Sequence, residues 1–149
     1  MSARSSDLLR LRTIVECIDE VDDTVRELGV TPDSYIYPQD TISRVCRRAI
    51  DMLILQLCEE ARELTDETRG HAPSIPWTSV AEVRSFLVHS YGSVDAPTVW
   101  AVIEGDLPEL RDACSQLIAE IESGEYVPHF SSRTRERAAR EGSGRAKPK

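Results

Sequence analysis

The segment from Val83 to Tyr91 carries side chains suited to acid–base and phosphate chemistry. On a helix that turns about 100° per residue, one arc collects Arg84, Ser85, Val88, His89 and Tyr91. The other arc is mostly apolar and is expected to face the interior: Val83, Phe86, Leu87 and Ser90. One face of the predicted helix therefore presents a cation, a hydroxyl, an imidazole and a phenol.

This set of side chains suits cleavage of an RNA phosphodiester without a metal ion. A histidine titrates near neutrality, so His89 can accept the proton of a ribose 2′-hydroxyl. Arg84 can bind the scissile phosphate and stabilise the charge that grows on it in the transition state. Ser85 lies one helical turn from His89 and can support it by a hydrogen bond. A second histidine for the leaving oxygen would come from a two-fold dimer, which brings the same face of both chains together.

Other chemistries have little support in the sequence. Motifs of the GxxxxGK[ST], GxGxxG and HExxH types are absent, and the three histidines form no close pair. The acidic pairs Glu59/Glu60 and Glu104/Asp106 are expected to be solvated surface groups rather than metal ligands. The four cysteines form no CxxC pair and are expected to be free and buried. We therefore expect neither a metal nor a cofactor.

Apolar residues recur at spacings of three and four along most of the chain, which is typical of amphipathic helices. The pattern predicts five helices, at about 7–28, 41–64, 79–91, 96–104 and 107–123. Ser79 and Glu82 are predicted to form a capping box, and Gly29 and Gly124 to end helices. The stripe of the second helix includes Ile42 and Val45. The expected fold class is all-α, an up-and-down bundle of about five helices.

The charge divides the chain into an acidic body and a basic tail. Residues 131–149 hold seven basic and two acidic residues, whereas the rest holds 11 basic and 24 acidic ones. We expect one helical domain at 1–127 and a disordered tail at 128–149. No apolar run is long enough to cross a membrane and no leader-like segment begins the chain, so we expect a cytoplasmic protein without a membrane partner.

The spacing Arg84-x4-His89-x-Tyr91 resembles the R-x4-H-x-Y signature of HepT-like toxins of the HEPN superfamily. Similar features surround the signature: Pro76-Trp77 before it, Val99-Trp100 and the run from Asp106 to Leu110 after it, and the acidic-Ala step at the end of the second helix. The resemblance covers about residues 6–123. The sequence departs from the family at Ser85, where an asparagine is usual.

The resemblance implies a HEPN bundle that works as a homodimer, with one composite site in the dimer cleft. It further implies a metal-independent endoribonuclease that acts as a bacterial toxin on RNA. Arg84 and His89 would be the catalytic pair, with Ser85 in support. The cognate antitoxin would be a minimal nucleotidyltransferase of the MntA type, which transfers AMP to the motif tyrosine, here Tyr91.

Two alternatives stay open at this point. The chain could be a non-catalytic HEPN module that binds RNA or a nucleotide, a hypothesis that Ser85 favours. It could also be a scaffold partner of a nucleotidyltransferase, because an acidic body suits a basic partner surface.

Overall fold

The computed structural model describes residues 3–88 and 95–126, with side chains from residue 6 to 87 and from 95 to 126. Within these ranges all regular structure is helical, which confirms the predicted all-α class. Seven α-helices and one π-helical turn follow in order: α1 (Ala3–Glu27), α2 (Pro32–Ile36), α3 (Thr41–Arg62), α4 (Asp66–Gly70), α5 (Trp77–Val88), α6 (Ala96–Ala101), the π turn (Val102–Asp106) and α7 (Leu107–Ser123).

Helix α1 is the centre of the packing, since it contacts both α3 and α7. Arg10 near its start pairs with Glu60 near the end of α3 at 2.9 Å, so these two helices run antiparallel. Asp19 further along accepts two hydrogen bonds from Arg111 at the start of α7, at 2.6 and 3.2 Å. Helix α7 is therefore antiparallel to α1 as well. The side chains between them form one apolar core: Leu11, Ile14, Ile18, Val21, Ile50, Ile54, Leu57, Cys114, Leu117 and Ile121.

Helices α2 and α6 close one end of this core through two aromatic rings. The rings of Tyr35 and Trp100 lie with their centroids 5.4 Å apart, and both side chains are buried. Tyr35 donates its hydroxyl to Asp51 on α3, and the Arg47 guanidinium lies over the Tyr35 ring. Burial raises the pKa of Asp51, which the hydrogen bond from Tyr35 and the charge of Arg47 oppose.

A buried polar network fixes the short helix α4. Asp7 on α1 is 1% exposed, and it accepts hydrogen bonds from the Thr65 backbone at 3.3 Å, the Thr65 hydroxyl at 2.6 Å and the Thr68 hydroxyl. Thr65 is also the N-cap of α4, and the Thr68 hydroxyl contacts the hydroxyl of Tyr126. The His71 ring, which follows α4, stacks on the Tyr126 ring at 3.9 Å. One carboxylate therefore ties α1, α4 and the segment after α7 together.

Several sequence predictions about helix bounds are wrong in detail. Helix α5 begins at Trp77, so Ser79 lies within it and is not its cap. Short helices α2 and α4 occupy segments that we expected to be irregular. Gly105 does not separate two helices, because the π turn joins α6 to α7 without a break in the helical backbone. Gly29 and Gly124 do adopt the expected left-handed backbone, with φ of 62° and 79°.

The inward face of two helices also differs from expectation. Phe86 is 43% exposed rather than buried, while Val83 and Leu87 of the same arc pack against the core. On the first half of α3, Ile42 and Val45 point away from the core and are exposed. Both helices carry apolar residues on more than one face. The apolar residues that the sequence pattern assigned to the interior therefore include some that the fold leaves exposed.

All four cysteines are buried and free, as the sequence predicted. No helix within the described part of the chain is both long enough and apolar enough to span a membrane. The predicted tail at 128–149 lies outside the described residues, and the predicted dimer stays a prediction.

Candidate functional site

Arg84 of the predicted site lies on α5 where this helix packs against the end of α3. Its guanidinium forms an ion pair with the Glu59 carboxylate on α3. Both side chains keep more than a third of their surface accessible, 38% for Arg84 and 40% for Glu59. The arginine is therefore held in place from one side and open to solvent on another.

The residue before Glu59 on α3 lies beneath this ion pair. The Cys58 side chain is buried where α3 packs against α5, next to the Arg84 backbone. Burial, with a smaller contribution from the negative charge of Glu59, raises the pKa of the Cys58 thiol to about 12, and the Arg84 backbone opposes this rise. At neutral pH this cysteine is a protonated packing residue with no role as a nucleophile.

The structure places one other member of the predicted site. Ser85 is exposed and follows Arg84 on the same side of α5, as the helical arc predicted. His89 and Tyr91 lie outside the described residues. Their juxtaposition with Arg84 and Ser85, which the helical arc predicts, therefore stays a prediction.

A broad open groove of about 500 Å³ adjoins Arg84 and Ser85. Its wall is formed by the end of α3, by α4 and by the first two turns of α5. We call it the arginine groove, because three arginines line it. The residues that contribute to its lining include Arg62, Asp66, Arg69, Trp77, Glu82 and Arg84. A smaller apolar cavity of about 210 Å³ lies on the other side of α5, beneath Val83 and Phe86.

Sequence reasoning missed Glu59 as the partner of Arg84. The Glu59/Glu60 pair was expected to be a solvated surface group, but each residue binds an arginine of a different helix, Arg84 for Glu59 and Arg10 for Glu60. In the same way, Glu104 accepts the indole N–H of Trp100 at 2.8 Å. The signal for Glu59 is weak in sequence, because 25 positions separate it from Arg84 and many acidic residues compete for the same pairing.

The described residues hold no cluster of three or more histidine, cysteine or acidic side chains that could bind a metal ion. His71, one of the chain's three histidines, is instead engaged with the Tyr126 ring and lies 4.0 Å from Glu120. The chemistry available near Arg84 is therefore that of a guanidinium, a hydroxyl and an open polar groove. Such a site can bind a phosphate and hold it beside further catalytic groups.

Comparison with known proteins finds a matching family. The profile of a family described as ribonuclease HepT-like matches residues 14–117, which include Arg84, Ser85, His89 and Tyr91. A "probable ribonuclease HepT" of Thermococcus cleftensis is 25% identical over 107 residues, which cover 72% of this chain and 91% of that protein.

A second relative is a larger protein. A "gamma-glutamylcyclotransferase and putative RNase" of Methanocaldococcus jannaschii is 27% identical over 112 residues, which cover 75% of this chain and 47% of that protein. The chain thus spans about half the length of this relative. No solved structure gives a significant match to the chain.

Proposed function

The chain belongs to the HepT-like ribonuclease family of the HEPN superfamily, and from that membership we propose that it is a metal-independent endoribonuclease. The site would be composite, built from Arg84, Ser85 and His89 of both chains of a homodimer. The protein would act as the toxin of a toxin–antitoxin pair, with a nucleotidyltransferase as its antitoxin.

The proposed reaction is transesterification by the RNA's own 2′-hydroxyl. His89 of one protomer accepts the proton of this hydroxyl, and the oxygen attacks the adjacent phosphorus. The bond from phosphorus to the 5′-oxygen breaks, and the same histidine of the other protomer donates a proton to that oxygen. The products are a 2′,3′-cyclic phosphate and a 5′-hydroxyl. Arg84 binds the non-bridging oxygens, whose charge increases in the transition state.

The position of Arg84 is the observation that carries this proposal. A half-exposed ion pair such as Arg84–Glu59 contributes about 0 to 1 kcal/mol, so a phosphate can compete with Glu59 for the guanidinium. An arginine binds phosphate through two parallel hydrogen bonds, which a single carboxylate contact does not match. Glu59 would therefore orient Arg84 before RNA binds. When RNA binds, the phosphate would take over part of the hydrogen bonding of the guanidinium.

Neutralisation would act on the same face of the protein. AMP transfer to the Tyr91 hydroxyl breaks the bond between the α- and β-phosphates of ATP and releases pyrophosphate. The adduct adds a negative charge and an adenosine close to Arg84 along the predicted helix. Such a group would occupy the guanidinium that substrate phosphate needs.

Cleavage of a labelled tRNA pool in EDTA tests the proposal. We expect the wild-type protein to cut the pool and leave cyclic-phosphate ends, and His89→Ala and Arg84→Ala to lower the rate at least 100-fold. Arg26→Ala is the matched control, because Arg26 is an exposed arginine of α1 whose ion-pair partners among the described residues are its neighbours Asp23 and Glu27. Cutting that needs added metal, or that survives in both variants, would contradict the mechanism.

A non-cleaving RNA-binding module is the second candidate. Ser85 is the feature that favours it, because a hydroxyl cannot offer the separate donor and acceptor of the usual asparagine amide. Binding of the tRNA pool without any cutting, together with activity gained in Ser85→Asn, would support this candidate over the first.

A further inference from the structure

The arginine groove brings several arginines together in a protein whose body is strongly acidic. Residues 1–130 contain 11 basic and 24 acidic side chains, yet three of the 11 line this groove. Arg69 pairs with Asp66, and Arg84 pairs with Glu59. Arg62 is exposed, and no hydrogen bond or ion pair engages its side chain among the described residues. The groove therefore offers one unengaged guanidinium and two that a phosphate can share.

Trp77 supplies a flat aromatic wall to the same groove. Its indole N–H donates to the backbone oxygens of Arg69 and Ala72, at 3.0 and 3.1 Å. These bonds fix the ring between α4 and α5 and leave it half-buried. A fixed aromatic side chain beside cations is the arrangement by which proteins bind single-stranded nucleic acid, with bases stacked on the ring and phosphates on the cations.

The groove is long enough for several nucleotides. Trp77 and Ser85 are separated by eight residues of α5, a rise of about 12 Å. At a stacked spacing of about 3.4 Å, this distance accommodates roughly three nucleotides. Arg84 lies at one end, so a strand in the groove would lead directly to the residue proposed to bind the scissile phosphate.

We propose that the arginine groove binds a single-stranded segment of RNA next to the scissile bond, with Arg62 and Arg69 on its phosphates and Trp77 against a base. The inference rests on the proposed function in taking RNA as the ligand. Arg62 and Arg69 are positioning residues in this proposal. Glu82 opposes binding, because its exposed carboxylate lines the same groove and has no ion-pair or hydrogen-bond partner within the described ranges.

Fluorescence anisotropy with a labelled 12-nucleotide 2′-O-methyl RNA tests the groove apart from cleavage, since this RNA has no 2′-hydroxyl to attack. We expect Arg62→Ala to raise Kd at least fivefold at 0.1 M salt and Arg62→Lys to retain most of the affinity. Loss of one phosphate contact should also lower the slope of log K against log salt by about 0.7. A merely structural effect would leave this slope unchanged.

Removal of a negative charge from the groove provides the second test. We expect Glu82→Gln to lower Kd two- to fivefold, and Arg26→Ala, away from the groove, to bind like the wild type. The proposal is overturned if Arg62→Ala and Glu82→Gln both bind within twofold of the wild type. If groove variants change binding while the wild type cuts no RNA, the groove stands and the ribonuclease proposal fails.

RNA binding should also quench the emission of Trp77, because a stacked base is an efficient quencher. Trp100, the other of the two tryptophans, is buried against Tyr35 and should contribute a constant background. We expect the quench to saturate with the same Kd as the anisotropy. Emission that stays constant at saturating RNA would contradict the stacking of a base on Trp77.

Discussion

At the scale of single residues, the proposed mechanism makes Glu59 and the substrate phosphate compete for Arg84. The carboxylate orients the guanidinium, but it also neutralises a charge that RNA phosphate would use. Glu60, the next residue, faces α1 and pairs with Arg10 instead. Two adjacent glutamates therefore have separate tasks, one at the proposed site and one in the packing of the bundle.

Glu59→Gln should strengthen RNA binding. The amide keeps a hydrogen-bond acceptor for Arg84 but removes the negative charge, so we expect the Kd for RNA to fall about threefold to tenfold, or about 0.7 to 1.4 kcal/mol. The anisotropy measurement described above checks this. Glu60→Gln is the matched control and should bind like the wild type. Weaker binding by Glu59→Gln than by Glu60→Gln would show that Glu59 acts only as a positioning residue.

The sequence alone was enough to select Arg84 and Ser85, and their role in the proposed site stays a prediction. A helical wheel places these two neighbours on one side of α5 without any knowledge of how the helices pack. It could not find Glu59, Arg62 or Arg69, since these come from other helices. Their approach depends on how α3, α4 and α5 pack, and charge alone does not distinguish them from the other ionic residues of the chain.

At the scale of helices, α4 is held almost entirely by polar contacts. It is only five residues long, too short to be stable without its surroundings. Asp7 and the capping Thr65 hold its start, while Arg69 and its neighbours extend toward the arginine groove. The geometry of the groove therefore depends on a carboxylate at the far side of α4.

Asp7→Ala should destabilise the protein and weaken RNA binding together. The change removes the shared acceptor of three hydrogen bonds from Thr65 and Thr68 in a buried site, and we expect a loss of about 3 kcal/mol of unfolding free energy. Urea denaturation measures it, with Asp112→Ala as the control because Asp112 is exposed on α7. A change below about 0.5 kcal/mol would show that water replaces the carboxylate.

The long helices were predictable, and the two five-residue helices α2 and α4 were not. Helices α1, α3 and α7 run for 25, 22 and 17 residues, so their apolar stripes repeat often enough to be recognised. Helices α2 and α4 complete barely one turn, which leaves no period to detect. The capping box at Ser79 was misleading, because Trp77 can begin α5 by donating its indole to the preceding turn and joining the core.

At the scale of the whole molecule, buried acids with raised pKa values make the fold sensitive to alkali. Burial raises the pKa of Cys17 from 9.0 to about 11 and those of Cys58 and Cys114 to about 12. Burial also raises the pKa of Tyr126 to about 12. The folded state therefore holds these protons more tightly than the unfolded state does.

The contribution of these groups to stability should be constant below about pH 9 and fall as the pH rises from 9 toward 12. Above pH 9 the unfolded chain loses its thiol protons first, which favours unfolding by about 1.4 kcal/mol per pH unit for each such group. Urea denaturation at pH 8, 10 and 11 checks the sign. Cys114→Ala should show a shallower fall than the wild type. An unfolding free energy that is flat between pH 8 and 11 would contradict the prediction.

The proposed composite site requires two chains, and a measurement of the molecular mass in solution tests this requirement. Light scattering at micromolar concentration should give twice the 16.7 kDa of one chain. Mixed dimers of wild-type and His89→Ala chains should be almost inactive, because each keeps only one of the two histidines that the proposed mechanism needs. A monomeric mass, or mixed dimers that keep half of the wild-type activity, would contradict a site shared between protomers.

Every cation in the arginine groove is a guanidinium. The use of arginine in place of lysine has a practical consequence for chemical labelling. The chain has only two lysines, Lys147 and Lys149, and the other basic residues are all arginines. Amine-reactive dyes and coupling surfaces would attach at these two lysines and the N-terminus, far along the chain from the groove. An arginine-selective dicarbonyl such as phenylglyoxal would modify the groove itself, and bound RNA should then act as a protecting agent.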